Sequence, residues 1–305
     1  MQRRLQKLFL LGAVMTLSAT ANVQAEELPK ITSESIGSLR LVQDAEEIFQ
    51  IVNKPEDYKL KFDYWEVLNP YQESNTVNTE TMYELYNTVL GLNFGSAVEV
   101  PEGTETGLEA CETYLEVQYV SDPTAMNVAE PDRTLTILFG NAADDGGRYA
   151  AIEGSDAVYV LSDAAAESVL EIDPFDYLLK IPVLINIEYL ESVDIIMGED
   201  AYSMEKDGDQ YSMGGKPVAK EEFTTLYQAL MNVFLNSDIE VNQDREKEEV
   251  LRIAYNMKDE APDAEVVYYT WEDETYYAVE INGVEQFLVD AEEVDALIKQ
   301  VRESF

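Results

Sequence analysis

Apolar and polar residues alternate with a period of two along much of the chain, which is the pattern of half-buried β-strands. The alternating runs are short, and Gly, Pro, Asn and Asp separate them, which is typical of antiparallel strands joined by tight turns. In the first part of the chain, strands are predicted at 39–41, 48–52, 58–62, 64–67, 114–119, 135–139, 149–152 and 158–161. In the second part, they are predicted at 187, 193–197, 201–204, 211–213, 250–255, 266–271, 276–281 and 286–289.

Helical spacing of apolar residues predicts four helices among these strands. The first begins after a cap at Asn78 or Thr79, the second spans about 163–171, and the fourth begins at Asp290 with Glu293 placed for a capping box. The expected apolar faces of the first, third and fourth helices are Met82, Leu85, Tyr86, Val89 and Leu92; Phe223, Leu226, Tyr227, Leu230 and Phe234; and Val294, Leu297, Ile298 and Val301.

Two motifs recur in the same order, which indicates a tandem repeat. The stretch from Val77 returns at Val218, and the stretch from Tyr149 returns at Tyr277. The two motifs are therefore closer together in the second copy than in the first. The loops 95–109 and 120–133 are where the first copy can carry the excess, and they are the first place to look for function if function lies in an elaboration of the scaffold.

These patterns predict an α+β fold of two similar subdomains, each an antiparallel sheet with helices packed on one face. The expected boundaries are a polar tether at 26–37, a first repeat at 38–173, a packed linker at 174–186 and a second repeat at 187–305.

The N-terminus resembles a secretory signal peptide. Arg3, Arg4 and Lys7 precede an apolar run at 8–21, which is short for a membrane span, and small residues then lead to a cleavage site after Ala25. We therefore expect an exported, extracytoplasmic protein, and an uncleaved N-terminal anchor is the alternative.

The charge balance narrows the range of partners. The chain has 61 acidic and 20 basic residues, a net charge of −41 that cleavage would move to −44. Such a charge repels phosphate, so we expect neither nucleic-acid binding nor docking on anionic membranes. The charge fits an ordinary solvated acidic surface, which is the favoured interpretation, or a surface that meets a cationic partner. Weak and non-specific binding of divalent cations is also expected at this charge density.

The chain has no histidine and one cysteine, Cys111. This excludes Ser-His-Asp and Cys-His catalysis, an intramolecular disulfide and a cysteine-based structural zinc site. Cys111 is expected to be a buried apolar residue near Leu115 and Val117.

Four segments together resemble the domain-of-unknown-function 4340 family: Tyr64-Trp65-Glu66-Val67, the strand ending in Gly at 135–140, Gly147-Arg148-Tyr149 and the strand at 157–161. The resemblance covers roughly residues 55–240. It implies a bacterial envelope protein, often found near ABC-type transport components, and it supplies no activity and no site residues. The cleavable signal departs from the uncleaved anchor that is common in that family.

Three clusters have a functional and a structural interpretation. Asp144-Asp145-Gly146-Gly147 and Asp207-Gly208-Asp209 are calcium-like but lack EF-hand spacing, so ordinary turns are favoured. The third cluster is an aromatic group that consists of Tyr268, Tyr269, Trp271, Tyr276 and Tyr277. For this group, cross-strand packing is favoured over a platform on which sugar or peptide stacks.

No catalytic, cofactor-binding or metal-binding residue is therefore assigned. The function we expect is a non-catalytic exported binding or scaffold protein of the bacterial envelope, with envelope or transport proteins as partners. The alternatives are a carboxylate-dependent hydrolase of cell-wall glycan and a calcium-modulated extracellular structural protein.

Overall fold

The computed structural model describes residues 29–54, 65–72, 75–144, 146–259 and 261–305. Within them the chain is broadly α+β and mostly sheet, with two antiparallel sheets and four helices. The predicted signal segment, the strand expected at 58–62 and Asp145 lie outside the described residues.

The described residues of the first half form eight strands and two α-helices in the order β1–β4, α1, β5–β8, α2. The strands are β1 Ile36–Gln43, β2 Glu46–Asn53, β3 Trp65–Asn69, β4 Asn75–Thr76, β5 Tyr114–Tyr119, β6 Arg133–Ala142, β7 Arg148–Ile152 and β8 Val158–Leu161. The helices are α1 Thr79–Leu90 and α2 Asp163–Leu170.

Within its described part, the second half forms nine strands and two α-helices in the order β9–β12, α3, β13–β17, α4. The strands are β9 Leu190–Met197, β10 Asp200–Asp207, β11 Gln210–Met213, β12 Lys216–Pro217, β13 Leu235–Asp238, β14 Glu249–Met257, β15 Ala264–Thr270, β16 Tyr276–Ile281 and β17 Val284–Asp290. The helices are α3 Lys220–Met231 and α4 Ala291–Ser304.

Both sheets have the same strand order apart from one addition. The first sheet runs β4-β3-β2-β1-β5-β6-β7-β8, and the second runs β12-β11-β10-β9-β14-β15-β16-β17-β13. Helices α1 and α3 begin at equivalent positions of the first repeated motif, and their buried positions correspond one to one: Met82, Leu85, Tyr86 and Val89 match Phe223, Leu226, Tyr227 and Leu230. Strand β13 has no strand counterpart in the first half among the described residues.

The length difference between the halves lies in two connections. The connection before β5 covers 91–113 and its counterpart before β14 covers 232–248, six residues fewer. The β5–β6 connection covers 120–132 and its counterpart covers 258–263, seven residues fewer. Together these two connections account for the whole difference in spacing between the repeated motifs of the two copies.

The segment between the halves connects the two sheets edge to edge. On one side, Leu179 N donates to Thr76 O of β4 at 2.9 Å, and Leu178 forms an isolated bridge with Val77. On the other side, Lys180 O accepts from Leu235 N of β13 at 2.9 Å. The residues at 178–180 thus act as a short bridging strand, and the buried side chains of the two halves form one contiguous core.

Several sequence expectations are corrected by the structure. The tether was expected to extend to residue 37, but a 3₁₀ turn covers Ser33–Ser35 and β1 begins at Ile36, which is fully buried opposite Tyr119. The residue at 187 lies in a turn rather than forming a strand, and β9 begins at Leu190.

Two helix expectations are also wrong. Phe234 does not belong to the apolar face of α3, because that helix ends at Met231 and the Phe234 side chain is exposed. The capping box of α4 does not form, since the Glu293 carboxylate accepts instead from Phe234 N at 3.0 Å. Among the described residues, no helix is long and apolar enough to cross a membrane.

Candidate binding site on the second sheet

A buried carboxylate lies at an irregularity in the pairing of β16 with β17. Val279 lies opposite Phe287, whereas Glu280 lies opposite Glu285, so Gln286 is an extra residue in β17. Such a bulge redirects side chains locally. Glu285 is fully buried here, although glutamate is almost never fully buried unless it is paired.

Two cations from the connection between β13 and β14 neutralise this carboxylate. We call residues 239–248 the strap. Arg245 Nη2 is 3.0 Å from Glu285 Oε2, and Lys247 Nζ is 3.2 Å from the same oxygen. Lys247 Nζ is also 3.2 Å from Glu280 Oε2, so one ammonium lies between two carboxylates that face each other across the strands. Like charges at opposed positions would otherwise destabilise the sheet.

Each strap cation also lies over an aromatic ring. The guanidinium carbon of Arg245 is 4.7 Å from the centre of the Trp271 ring, and Lys247 Nζ is 4.1 Å from the centre of the Tyr269 ring. Both distances are within the range of a cation–π interaction. Arg245 is tied further by a 2.6 Å hydrogen bond to Thr270 O.

The local electrostatics agree with this geometry. Burial alone would lower the pKa of Lys247, but its hydrogen bonds to Glu285 and Glu280 raise that pKa above its ordinary value. Burial raises the pKa of Tyr269, and the negative charge of Glu280 adds to the effect. The group therefore holds two fixed positive charges against two carboxylates and two ring faces.

Three buried polar atoms around this group have no hydrogen-bond partner within the described part of the chain. They are Glu285 Oε1, Arg245 Nε and Gln286 Nε2. Buried polar atoms are usually paired, and two of these three, Glu285 Oε1 and Arg245 Nε, belong to the ion pair itself, so the ion pair leaves hydrogen-bonding capacity unused.

The strap is attached by polar contacts. As whole residues its ten members are half-buried or exposed, although the Arg245 side chain is only 9% exposed, and the carboxylate against which it lies is fully buried. Its backbone is fixed near one end by Asn242, whose N–H and side-chain oxygen bond to the backbone of Glu285, and at the other end by Glu248 O, which accepts from Thr270 N. Segments with few buried apolar contacts are those that open most readily.

The predicted aromatic group is divided between environments instead of forming one platform. Tyr268 is fully buried in the core, and the Tyr277 hydroxyl donates to Asp295 of α4 at 3.1 Å. Tyr269 and Trp271 meet the strap cations. Cross-strand pairing within the group was the favoured interpretation, yet Tyr269 lies opposite Ala278 and Tyr277 lies opposite Thr270. Contacts with cations and with α4 therefore take the place of aromatic pairing.

The calcium-like motif at 207–209 forms a hairpin turn. Asp207 pairs with Gln210, so the two central residues of the turn are Gly208 and Asp209. The sequence pattern predicts Asp207 and Gly208 at the centre, so the observed turn is one residue further along the chain. An open groove of about 470 Å³ next to it is lined by Glu205, Asp207 and Asp209 together with polar and apolar neighbours. Within the described residues, no group of three or more Asp, Glu, Cys or His side chains is arranged to hold a metal ion.

Cys111 and the two long loops of the first half lie against the sheet. Cys111 is half-buried rather than buried, and its sulfur lies 3.1 Å from Thr113 O and 3.2 Å from Phe139 O. The loop at 91–113 contacts Gly140 so closely that a Cβ on that glycine would be 2.2 Å from Thr106 O. The loop at 120–132 approaches Gly37 in the same way through the carbonyl of Val128.

Of the residues in the candidate site, the sequence pattern singles out Tyr269 and Trp271 as part of the aromatic group, but not the charged residues. Arg245 and Lys247 lie in a stretch of mixed charge, which has no strand or helix pattern. A usable signal was present in β17, since strict alternation in Val284-Glu285-Gln286-Phe287 places Glu285 in phase with the core residue Phe287. A glutamate in a core phase indicates either a buried ion pair or a bulge, and the structure has both.

Comparison with protein-family models, with curated proteins and with solved structures finds no match to this chain. The family resemblance stated above therefore depends only on the segments quoted for it.

Proposed function

We propose that this protein is a non-catalytic exported component of the bacterial cell envelope that acts as a binding or scaffold protein. One form of this role is that of an accessory protein of a transport complex. The export signal at 1–25 and the strongly acidic composition support this proposal. The observation that carries it is the edge-to-edge joint through 178–180, because a joint of this kind fixes two large sheets relative to each other as one platform.

In this proposal the helices pack on one face of each sheet and the opposite faces receive partners. Ring contacts support the packing on one side, since Trp65 of β3 meets Tyr86 of α1 at 5.9 Å and Tyr211 of β11 meets Phe223 of α3 at 5.0 Å. Successive strand residues point to opposite faces. Tyr269, which follows the core residue Tyr268, therefore projects from the face away from the helices, as does Ile196 next to the buried Ile195.

A photo-crosslinking experiment in intact cells tests the proposal. A photoreactive amino acid replaces Ile196, which is 38% exposed on the sheet, and in a matched control it replaces Lys299, which is exposed on α4. We expect envelope proteins to be crosslinked from position 196 and not from position 299. If position 196 yields no envelope partner, or if both positions yield the same products, the binding role is wrong.

The second candidate, a carboxylate-dependent hydrolase of cell-wall glycan, is favoured by one observation. Glu280 and Glu285 each have an oxygen 3.2 Å from Lys247 Nζ, so these two oxygens are at most about 6.4 Å apart, which permits the spacing of about 5–5.5 Å found in retaining glycosidases. Glu285 has no exposure to solvent, and a cation occupies the space between the two groups. Purified protein should therefore release no sugar from peptidoglycan, and release that Glu285→Gln abolishes would establish the hydrolase instead.

Weak and non-specific binding of divalent cations is part of the same proposal. A diffuse acidic surface attracts calcium and magnesium alike, so millimolar amounts of either should raise the melting temperature by similar small amounts. A much larger rise with calcium than with magnesium would favour the calcium-modulated structural protein. Nucleic acids and anionic membranes are not among the proposed partners.

A further inference from the structure

The site on the second sheet has the chemistry of a receptor for positively charged side chains. Two ring faces, Tyr269 and Trp271, lie beside two carboxylates, Glu280 and Glu285, and one of those carboxylates is fully buried. Aromatic rings combined with acidic groups are a common way to bind ammonium and guanidinium groups. In the structure, the chain's own Arg245 and Lys247 fill these positions.

The spacing of the two strap cations adds a second argument. Arg245 and Lys247 are separated by one residue, and in an extended segment residues at this spacing project to the same side. Both cations reach the same oxygen of Glu285, so the strap presents them to one side, as an extended Arg-x-Lys peptide would. The apolar strap residues Ile239 and Val241 are only half-buried, so a competing segment does not need to displace a fully packed core.

A buried carboxylate oxygen without a partner is the third argument. Glu285 Oε1 is buried and binds nothing within the described residues, although Glu285 already receives two cations on its other oxygen. The strap therefore satisfies this carboxylate only in part. A ligand with an additional hydrogen-bond donor would make a bond that the strap leaves unmade.

We propose that residues 239–248 are a built-in occupant of a binding site for basic polypeptide segments, and that an extended Arg-x-Lys segment of a partner takes the place of Arg245 and Lys247. This inference deepens the proposed binding function and depends on it. It names the partner chemistry as a basic, extended segment, and it makes the strap an autoinhibitory contact that the partner must lift.

Isothermal titration calorimetry on the full exported chain tests the inference. The probe is the capped peptide Gly-Arg-Ser-Lys-Gly, and Gly-Ala-Ser-Ala-Gly is the peptide control. The double variant Arg245→Ala/Lys247→Ala vacates the site and should bind the basic peptide at least about tenfold more tightly than the parent chain, since one ion pair or cation–π contact of ordinary strength accounts for that factor. The gain should disappear when Trp271→Ala is added.

The matched control is Arg133→Ala/Lys299→Ala, which removes the same two charges from exposed positions elsewhere on the chain. If this control gains as much affinity as the strap variant, the effect is general electrostatic attraction and the inference is wrong. If the strap variant keeps its fold and gains nothing, Arg245 and Lys247 are structural cations and the inference is equally wrong.

Lys247→Ala alone serves if the double variant does not fold, because the Lys247 side chain is 31% exposed whereas that of Arg245 is 9% exposed. It should gain affinity for Gly-Ala-Ser-Lys-Gly, and an unchanged affinity would overturn the inference. The outcome is separable from that of the broader function. If envelope partners are crosslinked from position 196 but the site binds no basic peptide, the proposed binding function is supported and only this inference is wrong.

Discussion

Phe287 is the side chain whose removal most directly tests whether the two halves form one cooperative structure. It belongs to β17 of the second half and is fully buried. Its ring meets Tyr71 of the first half at 5.3 Å and Phe175 of the intervening segment at 6.3 Å. Hydrogen bonds flank these contacts, from the Tyr71 hydroxyl to Asp238 at 3.3 Å and from Gln72 N to Gln286 Oε1 at 3.2 Å.

The expected magnitude for Phe287→Ala follows from burial and ring contacts. Truncating a buried phenylalanine costs about 3–5 kcal/mol of unfolding free energy, and each aromatic contact accounts for about 0.5–1.5 kcal/mol of it. Since both ring partners lie outside the second half, about 1–3 kcal/mol of coupling between the halves should be lost. With a urea dependence of about 2 kcal/mol per molar, the midpoint of the second half should fall by about 1.5–2.5 M.

The two tryptophans make the assay specific to each half. Trp65 lies in β3 and Trp271 follows β15, so single-tryptophan versions of the chain report on each half by fluorescence during urea unfolding. We expect the two transitions to coincide in the parent protein. In Phe287→Ala the Trp271 transition should move to lower urea and separate from the Trp65 transition.

Phe223→Ala is the matched control. Phe223 is also fully buried, and its 5.0 Å ring contact with Tyr211 lies within the second half. This variant should lower stability by a similar amount while the two transitions still coincide. If the transitions coincide in Phe287→Ala as well, Phe287 does not couple the halves and the account of the joint is wrong.

Three further predictions concern processing, alkaline pH and one glycine. The exported protein should begin at Glu26 on N-terminal sequencing, and a start at Met1 would show an uncleaved anchor. Burial raises the pKa of several core tyrosines above 10, and these are Tyr71, Tyr86, Tyr227, Tyr255 and Tyr268. They therefore ionise first in the unfolded chain, so the free energy of unfolding should be constant below pH 10 and fall above it by about 1.4 kcal/mol per pH unit for each tyrosine. Urea unfolding at pH 9–11.5 measures this fall, and a flat profile would contradict the prediction. Gly140→Ala should destabilise the protein by about 1–3 kcal/mol, because the new Cβ would lie 2.2 Å from Thr106 O, and an unchanged melting temperature would show that this loop yields.

The helices and most strands could be predicted because their signals are local. A helix with four apolar residues at regular spacing has one way to bury them, and the buried sets of α1 and α3 agree with the predicted faces except at their last positions. Leu92 is buried but lies beyond the end of α1, and Phe234 is exposed beyond the end of α3. Helix ends depend on capping and on neighbouring segments, so spacing alone places them poorly.

Strand β13 could not be predicted because its sequence has little strand character. Leu235-Asn236-Ser237-Asp238 contains one apolar residue, and the segment is a strand because β17 pairs with it on one side and Lys180 O accepts from it on the other. Tertiary contacts decide such cases. The charged residues of the candidate site were missed for a related reason, since the strap meets β15, β16 and β17 together only because of the sheet order and a bulge.

The element that distinguishes the second half also links the candidate site to the joint between the halves. Strand β13 bonds to Lys180 O through Leu235 N, and Asp238 at its end accepts from Tyr71. The next residue begins the strap, where Ile239 N donates to Gln286 O beside the buried Glu285. A partner that lifts the strap must therefore pull on the strand that holds the sheets together. Displacement of the strap, and not occupation of the site as such, should therefore weaken the joint. A basic peptide that binds the vacated site should leave the two unfolding transitions together, whereas one that displaces the native strap should separate them.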